Sequence, residues 1–216
     1  MSSNDRNERR IHIDFKPNKS IDNTSNLFFI GSCFGEEIHK KMIEIGHSNS
    51  ISNPFGTIFH PIPLLENLER IVLNKTCTAE EIYTQTNSES ASYHHLQLAY
   101  KFHNTNKTDL LDHINQVTEA AHKQLHLSSH LFITLGTAWH YKHLPTHQIV
   151  GNCHKLPQAQ FQKSLSHQAE IKQATQSICN LIKTHLPNMQ LIFTISPVKH
   201  LRDGLAENLT SKSTLI

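Results

Sequence analysis

A serine hydroxyl acts as a nucleophile when a turn lifts it toward donors that hold negative charge and a base takes its proton. The stretch Leu27-Phe28-Phe29-Ile30-Gly31-Ser32-Cys33-Phe34 carries residue types suited to the first of these requirements. Four apolar residues run straight into Gly-Ser-Cys and a helical pattern follows, which predicts a buried strand, a tight turn and a helix N-terminus. Ser32 then stands at the carboxyl end of the strand. The first N–H groups of the helix, and its dipole, face any oxyanion formed there. The same octapeptide also fits a plain turn with a helix N-cap, so the reading depends on what the rest of the chain brings to Ser32.

Candidates for the base are numerous, because 18 of the 216 residues are histidine. His154 lies in a strand-end loop two residues after Asn152, and His200 closes an apolar run with Asp203 just behind it. His94-His95 falls in a long polar segment. Most histidines in so rich a chain must be surface residues. His154 and His200 stand out because they occupy strand ends, where they line a site and either could serve as base. Thr137 and Trp139 follow another strand end and are expected to contact substrate, although core packing is the commoner use of Trp. Pro145 interrupts the group His140, His143 and His147, and no His-Glu-x-x-His occurs. No metal site and no cofactor is therefore expected.

The elements that would position these residues can be read from periodicity. Helices are predicted from about Glu36 to Ile45, with Ile38, Met42 and Ile45 as the buried face, and from about Pro63 to Leu73. Two more are predicted, from about Asp109 to Leu125 and from about Glu170 to Leu186, with Pro187 as the stop. Strands are predicted at 27–30, around Ile51, at 131–135 and at 191–195, and an edge strand is allowed at Ile11–Phe15. Residues 74–108 read as irregular, and a loop is expected between Trp139 and Ile149. Short apolar strands alternating with helices imply a parallel sheet covered on both faces, with ligands at the carboxyl ends of its strands. Ser32, Gly136–Trp139 and Ser196–His200 all fall there.

Composition narrows the functional classes. A formal charge of +2 with only 18% charged residues favours neither nucleic acid nor a membrane surface as partner. Four scattered cysteines without Cys-x-x-Cys fit a reducing compartment, and the polar N-terminus lacks the apolar run of a signal peptide. The expectation is a cytoplasmic protein with a polar extension at 1–26 and one α/β domain at 27–216.

The motifs resemble those of the GSCFA family, a branch of the SGNH/GDSL-like hydrolase superfamily. The matching pieces are Phe29-Ile30-Gly31-Ser32-Cys33-Phe34, Asn53-Pro54-Phe55-Gly56-Thr57 and Thr134-Leu135-Gly136-Thr137-Ala138-Trp139. Further on they are Asn152-Cys153-His154-Lys155, the run from Ile195 to Gly204, and Glu207-Asn208 with Ser211-Lys212-Ser213. Gly35 replaces the alanine that ends the eponymous motif. The resemblance implies a three-layer α/β/α sandwich with a mostly parallel sheet, Ser32 as nucleophile and the Gly56 N–H as an oxyanion donor. The superfamily's third block supplies an asparagine donor. The chain has Gly136-Thr137-Ala138-Trp139 there, which leaves Asn152 as the substitute. The superfamily's late Asp-x-x-His block has no counterpart before Ile216, so the fold is expected to be incomplete at its C-terminus.

The resulting expectation is an ester hydrolase or acyltransferase that forms an acyl-enzyme on Ser32 and acts on a small acyl ester or an acylated carbohydrate, with no nucleic acid or membrane partner. The alternative is an inactive fragment or ligand-binding module that keeps the pocket but lacks the C-terminal base.

Overall fold

A computed structural model describes residues 20–86, 91–199 and 204–216. The segment Ile11–Phe15, His200 and Asp203 lie outside the described residues. The main sheet holds four parallel strands in the order β2–β1–β6–β10. These are β1 (Leu27–Gly31), β2 (Ser50–Ser52), β6 (His130–Leu135) and β10 (Gln190–Ile195). In register, Leu27 faces Ser50 on one side and His130 on the other, and Gly31 faces Thr134.

Four helices lie between or beside these strands in sequence: α1 (Cys33–Glu44), α2 (Pro61–Val72), α3 (Lys107–Leu127) and α4 (Gln168–His185). A fifth, α5 (Leu205–Leu215), follows β10. Each start has a local cause. Pro61 occupies the first turn of α2, whose missing N–H costs nothing there, and the His60 ring nitrogen accepts from the Ile62 amide. Asn106 caps α3 through the amides of Thr108 and Asp109. Glu170 reaches back to the His167 amide at the start of α4. The core joins Phe28, Ile30, Leu131 and Ile133 of the sheet to Leu64, Leu68 and Ile71 of α2, Ile114 and Leu125 of α3, and Ile178 and Ile182 of α4. Truncating one such side chain to alanine costs about 2–5 kcal/mol.

The structure corrects four sequence expectations. The first concerns α1, whose only buried residue is Gly35, while Ile38, Ile43 and Ile45 are exposed. The helix seats on the sheet through its glycine, next to Phe29 and Thr134, so its isoleucines turn away from the core.

The second is residues 74–108, which are not irregular. They form an antiparallel sheet of β3 (Tyr83–Thr86), β4 (Ala91–His94) and β5 (His103–Asn104). The third is the segment after Trp139, which builds another small sheet rather than a loop. Its strands are β7 (Trp139–His143), β8 (Gln148–Val150) and β9 (Phe161–Leu165). Strands as polar as Tyr83-Thr84-Gln85-Thr86 carry no apolar alternation, so periodicity does not register them. The fourth is β10. It pairs only with β6 among the described residues, and Phe193 is exposed, so it is not the fully buried strand that its apolar run predicts.

The strand order fixes where a site can lie. β1 leads through α1 to β2 on one side, and the chain later returns to add β6 and then β10 on the other. Connections therefore diverge between β1 and β6, and such sheets bind ligands in the crevice beyond the carboxyl ends at that point. Ser32 and Gly136 are the residues that follow those two strand ends.

Candidate functional site

Ser32 caps α1 with extended backbone angles (φ −73°, ψ 165°). Its amide donates to the Thr134 carbonyl at 2.8 Å, tying the turn to β6. The side chain is fully buried, and Oγ has no hydrogen-bond partner among the described residues. A buried hydroxyl in that state is uncommon and costs about 1–3 kcal/mol. The amides of Cys33 and Phe34 open α1 and have no intrahelical carbonyl to bond. They are the donors that the helix start offers beside Ser32. Gly31 makes the approach possible. Its φ is +124°, and a Cβ there would collide with the Thr134 carbonyl.

The turn is clamped by Asn53, a residue to which the sequence reading gave no role. Asn53 is buried, its Oδ1 accepts from the Gly31 amide at 2.8 Å, and its Nδ2 donates to Glu36 Oε1 at 3.0 Å. The Ile58 amide completes the clamp by donating to the Gly31 carbonyl at 3.0 Å. The Asn-Pro-Phe-Gly sequence carried the signal, because Pro54 and Gly56 bend the chain back onto the strand end.

Gly56 lies at φ +79°, packed against Ala99. Its amide donates to the Asn53 carbonyl at 2.8 Å, so in this conformation that N–H closes a turn rather than facing an oxyanion. Asn152 Oδ1 accepts from the His154 amide at 2.8 Å. His154 is buried, and its Nε2–H donates to the carbonyls of His95 and Leu98, each at 3.0 Å. That arrangement fixes the tautomer and leaves Nδ1 without a partner among the described residues. Burial, reinforced by His94, pushes the His154 ring down to about 4. Asn152 and His154 thus organise the 95–102 loop, and neither is hydrogen-bonded to Ser32.

Thr137 and Trp139 are held by α5. Thr137 Oγ1 lies 2.9 Å from Ser211 Oγ, and the Trp139 indole N–H points to the Glu207 carbonyl at 3.4 Å. Ser211 Oγ also accepts from the Ala138 amide at 2.8 Å. The next residue, Lys212, donates from Nζ to the Gly136 carbonyl at 2.5 Å. Burial lowers the Lys212 pKa below the ordinary lysine range, with the Cys33 thiol close enough to oppose the shift. Lys212 is therefore a titratable group that the fold brings to this strand-end edge. The sequence contained it within Ser211-Lys212-Ser213 without indicating its place.

A second polar cluster was also missed. Ser166 Oγ lies 3.2 Å from His60 Nε2 and 2.9 Å from His140 Nδ1, and burial pushes His60 down to about 3. Serine–histidine contacts recur at Ser52–His39, Ser92–His94 and Ser129–His130. In a chain this rich in histidine such a contact does not by itself mark a nucleophile. Ser32 differs by its place between a buried strand and a helix start.

The profile of the GSCFA family matches residues 26–216. The chain belongs to the GSCFA family. No curated protein and no solved structure matches it. Within the matched span, Gly31-Ser32-Cys33-Phe34 forms the end of β1, the Ser32 turn and the start of α1. No helix among the described residues is long and apolar enough to cross a membrane.

Proposed function

We propose that this GSCFA-family chain is a serine-dependent ester hydrolase or acyltransferase. The observation that carries the reading is the Ser32 hydroxyl, buried without a partner among the described residues where the sheet's connections diverge and at the start of a helix. Ser32 Oγ attacks an acyl carbonyl and loses its proton, and the Cys33 and Phe34 amides hold the oxyanion. The alcohol leaves with a proton. Water or another hydroxyl then takes the acyl group from Ser32. Lys212, which the fold brings to this strand-end edge on the Gly136 carbonyl, is the proton acceptor assigned in this scheme.

Ser32 is fully covered, so substrate entry requires an opening. We assign that opening to α5, whose polar contacts to this edge include Ser211, Lys212 and the Glu207 carbonyl and whose buried residues are Asn208, Ser211 and Leu215.

The proposal includes the finer attributes that go with the activity. These are an α/β/α sandwich layering of SGNH type, a cytoplasmic location consistent with four free cysteines, and a small acyl ester or acylated carbohydrate as substrate. The second reading, a binding module without catalysis, is favoured by one observation: among the described residues, no histidine or carboxylate is hydrogen-bonded to Ser32 Oγ. Hydrolysis of short p-nitrophenyl esters by the full chain separates the two. Turnover that is lost in Ser32→Ala and reduced in Lys212→Met supports the enzyme. Saturable ester binding without turnover supports the binding module.

A further inference from the structure

Away from the strand-end edge, α3 carries two histidines one turn apart near its C-terminal end, His122 and His126. Residues at i and i+4 stand one above the other on the same face of a helix. The two imidazole rings lie 4.2 Å apart between centroids. His122 is half-buried and His126 is exposed. The cation next to them in sequence, Lys123, is turned to Glu119 at 2.6 Å.

A second element orients His122. Its Nδ1 lies 2.8 Å from the carbonyl of Ile71, in the last turn of α2. A carbonyl only accepts, so Nδ1 carries the proton and Nε2 presents a lone pair. Metal-binding histidines are held in this way, with the ring nitrogen that does not touch the ion donating to a backbone carbonyl or a carboxylate. His39, His94 and His143 instead spend a ring nitrogen on a hydroxyl, which can give or take the proton and so fixes no tautomer. The field adds to the effect. The His122–Ile71 bond brings the last turn of α2 against the end of α3, and His126 lies in the last turn of α3. The carbonyls at a helix C-terminus form the negative end of its dipole, which favours a cation.

A denser set of ligand atoms is less suitable. Cys77, Glu81 and His95 offer atoms within 4.8 Å of one another. However, the Arg70 guanidinium sits on Glu81 and lies 3.4 Å from His95 Nε2, so a cation is already built into the place where a metal would go.

We propose that His122 and His126 chelate a divalent transition-metal ion, through Nε2 of His122 and a ring nitrogen of His126, with water in the remaining positions. Imidazole suits zinc, copper and nickel, whereas magnesium takes oxygen ligands. The bound ion would pin the last turn of α3 to α2 through the His122–Ile71 bond. The site is independent of Ser32 and its chemistry.

The test is calorimetric titration of the full chain with Zn2+ and, separately, with Mg2+, with circular dichroism to show that each variant is folded. The tightest Zn2+ site should saturate at one ion per chain, and Mg2+ should give no such site. His126→Gln changes an exposed position and should weaken Zn2+ at least about tenfold, the smallest loss seen when even an outer partner of a ligating histidine is removed. His122→Gln should do the same. His185→Gln alters an exposed histidine in the last turn of α4 that has Leu181 one turn before it, and it should leave the site unchanged, as should Ser32→Ala. Full affinity in His126→Gln, loss of the site in His185→Gln, an equal site for Mg2+, or no saturable Zn2+ site overturns the proposal. It is also overturned if the site is lost in Cys77→Ser and kept in His126→Gln, because the ion then sits on the Cys77 cluster.

Discussion

Asn53→Ala tests whether the clamp on the Ser32 turn has the energetic weight the geometry assigns to it. The substitution leaves the Gly31 amide buried without its acceptor, a loss of about 1–3 kcal/mol. It also places an alanine Cβ at φ 42°, in the left-handed region, at about 1 kcal/mol more. The bond to Glu36 is only partly buried and adds little. The expected total is about 2–4 kcal/mol. Asn53→Gly removes the hydrogen bond without the backbone strain, so it should be about 1 kcal/mol less harmful than alanine. Urea unfolding of the three proteins reads both numbers as shifts in midpoint at constant slope. A loss below about 0.5 kcal/mol in Asn53→Ala would match an ordinary surface change and refute the clamp. Equal losses in alanine and glycine would refute the strain component.

Two further predictions follow from the same contacts. Ser211→Ala leaves the buried Ala138 amide without its acceptor, so stability should fall by about 1–3 kcal/mol, and hydrogen exchange at Ala138 should accelerate as α5 loosens. Unchanged exchange there would show that α5 is held by other contacts. His60 and His154 are held neutral, at about 3 and about 4, against about 6.5 in the unfolded chain. The unfolded state therefore binds protons first. The stability is fully present above about pH 6.5 and falls as pH drops, by up to about 1.4 kcal/mol per unit for each ring, and the decline ends near pH 4 for His154 and near pH 3 for His60. By about pH 5 each should have removed about 2 kcal/mol. His154→Asn should halve this pair's contribution to the slope, and parallel pH profiles for variant and wild type would contradict the assignment.

The main sheet was legible in the sequence because β1, β6 and β10 carry apolar runs, while β2 (Ser50–Ser52) was read only around Ile51. Leu27–Ile30 are buried as expected, as are Leu131, Ile133, Thr134 and Leu135 beside a half-buried Phe132, and the helix stop at Pro187 falls within two residues of the observed end of α4. The two small sheets were not legible. Tyr83–Thr86 and Trp139–His143 earn their pairing from backbone bonds between neighbouring strands, and side-chain periodicity carries no trace of that. α1 misled for the opposite reason. Ile38 and Ile45 have helical spacing but face solvent, because contact with the sheet runs through Gly35. At the site, the place of Ser32 was readable from local pattern alone. The partners Asn53 and Lys212 were not, since one lies 22 residues from Gly31 and the other 76 from Gly136, and only the folded strand order brings them together.

The most direct test of the account is covalent labelling of the full, folded chain with a fluorophosphonate, followed by mass mapping beside Ser32→Ala. The account predicts a single adduct on the peptide that contains Ser32, absent from Ser32→Ala and slower to form in Lys212→Met. A folded chain that forms no adduct, or one whose adduct persists in Ser32→Ala, would contradict the assignment of Ser32 as nucleophile.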